Sequence, residues 1–275
     1  MTFAVKFWGT RGSIACSSPE YIKYGGNTSC LEVIADDSHI VLDAGTGIRE
    51  LGKKFLAHDI RSTHLLLTHT HWDHINGFPF FVPAYDPNRS IHIMAGHLNA
   101  ETGGIKDALS QQMDGPMFPV PLEAMRANLR FEDFEAGDEF NLIAGIKVKT
   151  APLKHPNRAT GYRFEYNGKA FCYITDTEHV PGDPDQRILG LIEGADMVIY
   201  DCTYTEEELS SRIGWGHSTW NEGVRLCQAA KVKRLAIFHH EPDHDDAFME
   251  RLEAEAKKTW SGAFVTRDGM QVEME

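Results

Sequence analysis

The chain has little of what would make it a membrane-spanning, disulfide-stapled or nucleic-acid-wrapping protein. Its 275 residues include only five cysteines, at positions 16, 30, 172, 202 and 227, an odd number at wide spacing with no CxxC pair. That count argues against a cysteine zinc site and against a disulfide framework. No run approaches the roughly 18 apolar residues of a membrane span. The opening MTFAVKFWGTRGS lacks the apolar core of a secretory signal. The expectation is a reduced, soluble, cytoplasmic protein. Positive charge is scarce too. Lys and Arg total 27 against 40 Asp and Glu, a net charge of −13, the wrong sign for a broad basic face on long nucleic acid. A small anionic substrate drawn in by metal ions remains compatible with that balance. Internal repeats and low-complexity linkers are also missing, and the length suits one domain over residues 1–275.

What is present reads as alternating short strands and helices. Strand signals cover 4–8, 30–35 and 39–43, the last two forming a hairpin around Asp36-Asp37-Ser38. A helix is expected over 48–56, a buried strand at 64–68 and another at 91–95. Residues 101–114 and 122–129 read as helices on either side of a Pro-rich stretch. Strands follow at 146–150, 162–166 and 170–175, with Asn167-Gly168 supplying the positive φ angles of a tight hairpin turn. After a strand at 197–201, Thr219 and Glu222 fit a capping box that opens a helix to about 230. A strand at 234–238 and a helix over 245–259 come next, and 263–266 with 270–274 are expected to close the chain as a hairpin. Two sheets with helices packed outside suit this order.

The 14 histidines matter by placement. His69, His71, Asp73 and His74 lie within THTHWDHING, directly after the strand HLLLT. Extended backbone at that strand end points 69 and 71 the same way, and Asp73 and His74 continue into the turn. Imidazole and carboxylate together suit Zn²⁺ first, and Mn²⁺ or Fe²⁺ after it. One ion cannot easily use all four groups from so short a stretch, whereas two ions can share them. His155, Asp176 and His239 recur near the ends of three further strands.

This order, HTHWDH followed by His155, Asp176 and His239, resembles the metallo-β-lactamase fold superfamily. The resemblance implies a four-layer αββα sandwich with a dinuclear site at one edge. It implies that His69, His71 and His155 hold the first metal, that Asp73, His74 and His239 hold the second, and that Asp176 bridges both. Asp43 matches the family's first motif and is expected to support the ligands rather than bind metal. A second stretch, from Asp201-Cys202-Thr203 to Gly216-His217-Ser218-Thr219, resembles the ribonuclease Z and cyclic phosphodiesterase branch. There a histidine contacts the scissile phosphate, steadied by an acid, roles that fall here to His217 and Asp201. Ribonuclease Z has Glu where this chain has Asp201. Asp176, where some β-lactamases carry Cys, favours phosphodiesterase, glyoxalase-type or lactonase relatives. The long basic tRNA arm of ribonuclease Z has no counterpart between His155 and Asp176.

The expected function is therefore a metal-dependent hydrolase, a phosphodiesterase for a small, cyclic nucleotide-like diester. Its nucleophile is a hydroxide held between two divalent cations, with Asp73, His217 and Asp201 as catalytic residues. The alternatives are a ribonuclease Z-type RNA 3′-end endonuclease, which a basic strip would favour, and a lactone or thioester hydrolase, in which His217 would be dispensable. A metal-binding protein without catalysis would fit a one-metal site or one closed to solvent. The expected partners are a small anionic diester and, from the resemblance, a second copy of the chain; no long nucleic acid and no membrane are expected. Arg11, His240, His244, Trp72, Trp215 and the 113–119 loop are further candidates for contact with substrate.

Overall fold

The computed structural model describes residues 2–98 and 103–275. Two mixed seven-stranded sheets face each other, with helices on both outer sides. The chain builds the first sheet from β1 (Phe3–Gly9), β2 (Cys30–Ala35), β3 (Ser38–Leu42), β4 (Ser62–Leu67), β5 (Ser90–Ala95) and β6 (Asn128–Asp133). The second sheet takes β7 (Glu139–Asn141), β8 (Lys147–Leu153), β9 (Ala159–Tyr166), β10 (Lys169–Ile174), β11 (Met197–Asp201), β12 (Leu235–Phe238) and β13 (Ala263–Val265). The last strand, β14 (Gln271–Glu273), returns to the first sheet beside β1.

Alternation along each strand sorts side chains between layers. Val5, Phe7, Leu66, Phe164, Tyr173 and Phe238 fill the space between the sheets. Leu65, Leu67, Ile91 and Ile93 face the other way, onto α1 (Ile48–Ala57) and α3 (Ile105–Gln112). Cys172, Val198, Tyr200 and Ile237 pack outward against α4 (Gln186–Ile192), α6 (Trp220–Ala229) and α7 (Asp246–Thr259). The result is the expected αββα layering. Two further one-turn helices, α2 (Trp72–Ile75) and α5 (Glu206–Leu209), sit in loops at one edge. Among the described residues no helix is long and apolar enough to cross a membrane.

The Asn167-Gly168 turn is as expected. Tyr166 pairs with Lys169, and both turn residues have positive φ, 49° and 74°. Two expectations fail. Residues 122–129 are not a helix: a 3₁₀ turn over Leu122–Ala124 leads straight into β6. Leu129 and Phe131, two apart, both pack onto the outer cluster, so the operative period is two rather than 3.6. The end of the chain is not a hairpin either. β13 runs parallel to β12 in one sheet, while β14 runs antiparallel to β1 in the other. β13 extends the second sheet beyond β12 and β14 extends the first beyond β1, so the last two strands add to different sheets. The expected helix over 101–114 begins at residues outside the described ones; its described part is α3.

The parallel strands β3, β4, β10, β11 and β12 all end at the same edge of the sandwich. Three chain turns there put non-glycine residues in the left-handed region: Asp43 (φ 59°), Asp176 (58°) and His239 (63°). Asp and His tolerate that conformation better than β-branched residues do. Each reverses the chain just past a strand end.

Candidate metal centre

The edge site gathers side chains from four loops. After β4, His71 is still extended (φ −66°, ψ 154°) and caps the start of α2. His69 and His71 therefore leave an extended segment, while Asp73 and His74 leave the helical turn. His155 follows β8, Asp176 follows β10 and His239 follows β12.

Ligand atoms of His69, His71 and His155 all lie within 4.8 Å of one another, and so do those of Asp73, His74, Asp176 and His239. Asp176 stands between the groups. Its Oδ2 lies 3.7 Å from His69 Nε2 and 3.6 Å from His155 Nε2. Its Oδ1 lies 3.1 Å from His74 Nε2 and 3.3 Å from His239 Nε2. Asp73 Oδ2 is 3.2 Å from His239 Nε2 and 3.4 Å from His74 Nε2. The carboxylate with one oxygen toward each group is the one expected to bridge.

The other nitrogen of each imidazole is taken up on the outside. His74 Nδ1 lies 2.8 Å from Asp43 Oδ2, and His155 Nδ1 2.8 Å from the Gly216 carbonyl. His239 Nδ1 is 3.0 Å from Thr203 Oγ1, His69 Nδ1 3.1 Å from Thr68 Oγ1, and Asn157 Nδ2 3.3 Å from His71 Nε2. Five rings are thus turned so that one nitrogen faces inward, and His69 Nε2 is buried with no hydrogen-bond partner. Imidazoles held from behind, with their other nitrogens converging beside two carboxylates, fit a pair of divalent cations.

Electrostatics agree. Burial drives the pKa of His69 well down and lowers those of His71 and His155, so these rings are held neutral, as ligation requires. Burial opposes charge on His74 as well, but Asp176, Asp73 and Asp43 together raise its pKa well above the usual value. Burial also disfavours the Asp73 and Asp176 carboxylates, yet the surrounding histidines hold both far below the ordinary range. Among the described residues the Asp73 and Asp176 carboxylates face histidines rather than a lysine or arginine.

His217 lies at the rim, 11 % exposed at its side chain. Its Nδ1 is 2.9 Å from Asp201 Oδ2 and 3.9 Å from Asp176 Oδ2. Its ring stacks on that of His239 with centroids 5.0 Å apart. Burial works against its charge, but the carboxylates, Asp201 foremost, raise its pKa to about 9. The shorter acid, Asp201, thus reaches the ring directly.

Other candidates fall outside the site. The Arg11 side chain is fully buried and donates to the carbonyls of Gly25, Glu241 and His244. His240 is buried with its Nε2 at the Thr266 carbonyl, and His244 pairs with Glu208. All three brace the loop after β12 rather than face a substrate. Trp72 and Trp215 are exposed, at 76 % and 58 %.

Reading the sequence missed several supports. The Ser13 N–H donates to Asp73 Oδ2 at 2.8 Å. Glu178 accepts from the N–H groups of Gly214 and Gly216, tying down the loop that carries His217 and braces His155. Gly216, with φ 89° and His155 pressed against it, leaves no room for a Cβ. Gly214 and Gly216 adjoin or belong to the GHST stretch, whereas Ser13 and Glu178 lie far from it in the chain.

A family profile described as a beta-lactamase superfamily domain matches residues 38–240. Ribonuclease Z from Haloarcula marismortui (strain ATCC 43049 / DSM 3752 / JCM 8966 / VKM B-1809) is 24% identical over all of this chain and 98% of its own. The metallo-beta-lactamase fold protein YhfI from Bacillus subtilis superposes with a TM-score of 0.75 at 16% identity, over 99% of this chain and 100% of its own. A diphosphatase from the PhnP family superposes at 0.73 with 18% identity, over 99% and 98%.

Proposed function

The chain belongs to the metallo-beta-lactamase superfamily, in its ribonuclease Z-like branch, and is a metal-dependent hydrolase with a His/Asp metal site; on that footing we propose that it is a phosphodiesterase for a small, cyclic nucleotide-like diester. The observation that carries this reading is the His217–Asp201 pair beside the ligand cluster. Hydrolysis at a carbonyl carbon has less use for a second, cationic donor opposite the metals, whereas a phosphodiester already carries a charge and gains more in the transition state.

Two divalent cations, zinc by preference for this donor set, would be held by His69, His71 and His155 on one side and Asp73, His74 and His239 on the other, with Asp176 shared, and would supply Lewis acidity and an activated water. The protein's own part is electrostatic and proton-handling. Asp73, fixed by the Ser13 N–H, keeps one carboxylate oxygen toward the second group. Asp201 fixes the His217 tautomer and leaves its Nε2 for a phosphoryl oxygen or for the leaving oxygen. Water oxygen forms the new P–O bond and one ester P–O bond breaks. The departing oxygen takes a proton, from His217 in this reading. The products are an alcohol and a phosphomonoester, joined in one molecule when the diester is cyclic.

The distant relatives named ribonuclease Z keep RNA 3′-end cleavage as a second reading. The test is hydrolysis of bis(p-nitrophenyl) phosphate by zinc-reconstituted protein beside a lactone and a thioester. Diester turnover lost in Asp73→Ala and His217→Ala supports the proposal. Lactone or thioester cleavage with an active His217→Ala, and no diester turnover, overturns it. Cleavage of a pre-tRNA in preference to small diesters favours the second reading.

A further inference from the structure

Beside the metal centre lies a cleft of about 710 Å³, the size of a small-ligand pocket. It shares a wall with the cluster: Ser13, whose N–H holds Asp73, and Thr70 and Trp72, which alternate with His69, His71 and Asp73. We propose that this cleft seats the non-reacting end of the substrate, and that it takes an uncharged, flat heteroaromatic ring of the nucleobase kind. The proposal rests on the phosphodiester reading for where the phosphate lies; the cleft itself rests on separate observations.

The first is an apolar surface left open to water. Trp72 (76 %), Met117 (71 %) and Phe80 (52 %) are exposed, and all three line this one cleft from different segments. Contiguous exposed apolar surface of this kind marks binding sites. Phe80 and Phe118 meet edge to face with ring centroids 5.8 Å apart, so the wall is a preformed aromatic corner. Every nucleobase has a face that stacks on such rings.

The second is the polar lining. Among the described residues it consists of neutral groups, including the amides of Asn76 and Gln111, with no charged side chain. A further phosphate would meet no cation there, in a chain whose net charge is −13. Gln112 Nε2 donates to the Ile75 carbonyl at 2.7 Å and its Oε1 is buried, so this side chain is part of the wall rather than a group offered to a ligand. Thr70, Asn76 and the exposed Gln111 offer the cleft uncharged donors and acceptors of the kind that pair with the amino and ring-nitrogen groups of a base edge.

The test has two arms. Calorimetry on zinc-loaded protein compares adenosine with ribose, neither of which carries a phosphate. The expected result is adenosine binding at least ten-fold tighter than ribose, reduced ten-fold or more by Phe118→Ala, a residue outside the ligand segments. Kinetics compare thymidine 5′-(p-nitrophenyl) phosphate with methyl p-nitrophenyl phosphate. The nucleoside ester is expected to lead ten-fold or more in kcat/KM, through KM, and Phe118→Ala to bring that ratio toward one. Adenosine bound no better than ribose, or as well by Phe118→Ala as by the wild type, overturns the proposal even where bis(p-nitrophenyl) phosphate is hydrolysed. Adenosine bound in a Phe118-dependent way by a protein inert toward every diester upholds the ring site and overturns the phosphodiesterase reading instead.

Discussion

Asp201 Oδ2 lies 2.9 Å from His217 Nδ1, and its other oxygen, Oδ1, accepts from the N–H and hydroxyl of Thr203. Thr203 Oγ1 in turn sits 3.0 Å from His239 Nδ1. One buried carboxylate thus orients the rim histidine directly and His239 of the cluster through one hydroxyl. Loss of a positioned proton donor costs about 10²–10⁴-fold in rate. His217→Ala is therefore expected to lower kcat for diesters within that range while metal content stays at the wild-type value. Asp201→Asn is expected to reduce kcat less. Steady-state kinetics beside elemental analysis check both, and an unchanged kcat in His217→Ala would remove it from the chemistry.

Asp43 is the hub behind the cluster. It accepts from Thr68 N–H and hydroxyl, lies 2.8 Å from His74 Nδ1, and takes the Tyr173 hydroxyl at 2.8 Å. Every one of these partners is buried. Asp43→Ala leaves several donors unpaired and is expected to cost about 3–5 kcal/mol of stability. Metal affinity should fall about 10–100-fold, since an outer partner of a ligand histidine is lost. Denaturant titration and competition with a chromophoric chelator measure the two effects.

Asp176 offers one oxygen to each half of the cluster, whereas Asp73 faces only the half with His74 and His239. The two carboxylates should therefore differ on removal. Asp176→Ala is expected to weaken both metals together, and Asp73→Ala to retain one ion per chain. Equal stoichiometry in the two variants would contradict the bridging role. Chelation of the wild-type protein is expected to abolish hydrolysis and lower Tm, and zinc to restore both.

Acid stability has a component far from the metals. His64, on β4, lies beside His92 with centroids 5.2 Å apart and the rings tilted by 54°, and burial first, then the neighbouring His92 and Arg130 charges, lower its pKa from 6.5 to about 4. Between those values the unfolded chain binds a proton that the folded chain refuses. Stability from this group is therefore present above pH 6.5 and is lost as pH falls toward 4. His64→Gln is expected to flatten the pH dependence of unfolding in that window. Parallel slopes for the two proteins would show that another group is responsible.

The legible parts of the sequence were those whose chemistry is local. Strand ends followed by His or Asp could be read because one strand and one turn fix where such a side chain emerges, and HTHWDH compresses that rule into six residues. The Asn167-Gly168 hairpin was legible for the same reason. Residues 122–129 were not, because over so short a stretch the helical and strand periods coincide and only the free edge of β5 chose between them. The last two strands were misread because their partners, β12 and β1, lie on different sheets.

Sequence by itself determined the donor set, its order along the chain and the layer pattern, since residue type and short-range periodicity act before any long-range contact forms. Tertiary structure alone decided which groups share a site. Arg11, His240 and His244 have the right chemistry for a substrate contact, yet packing turned all three inward onto backbone carbonyls and Glu208. Phe80 carries no motif, yet packing placed it with Trp72 and Phe118 around one cleft. The reason is physical: burial and hydrogen-bond satisfaction are settled between segments far apart in the chain, and no local pattern records which of them will meet.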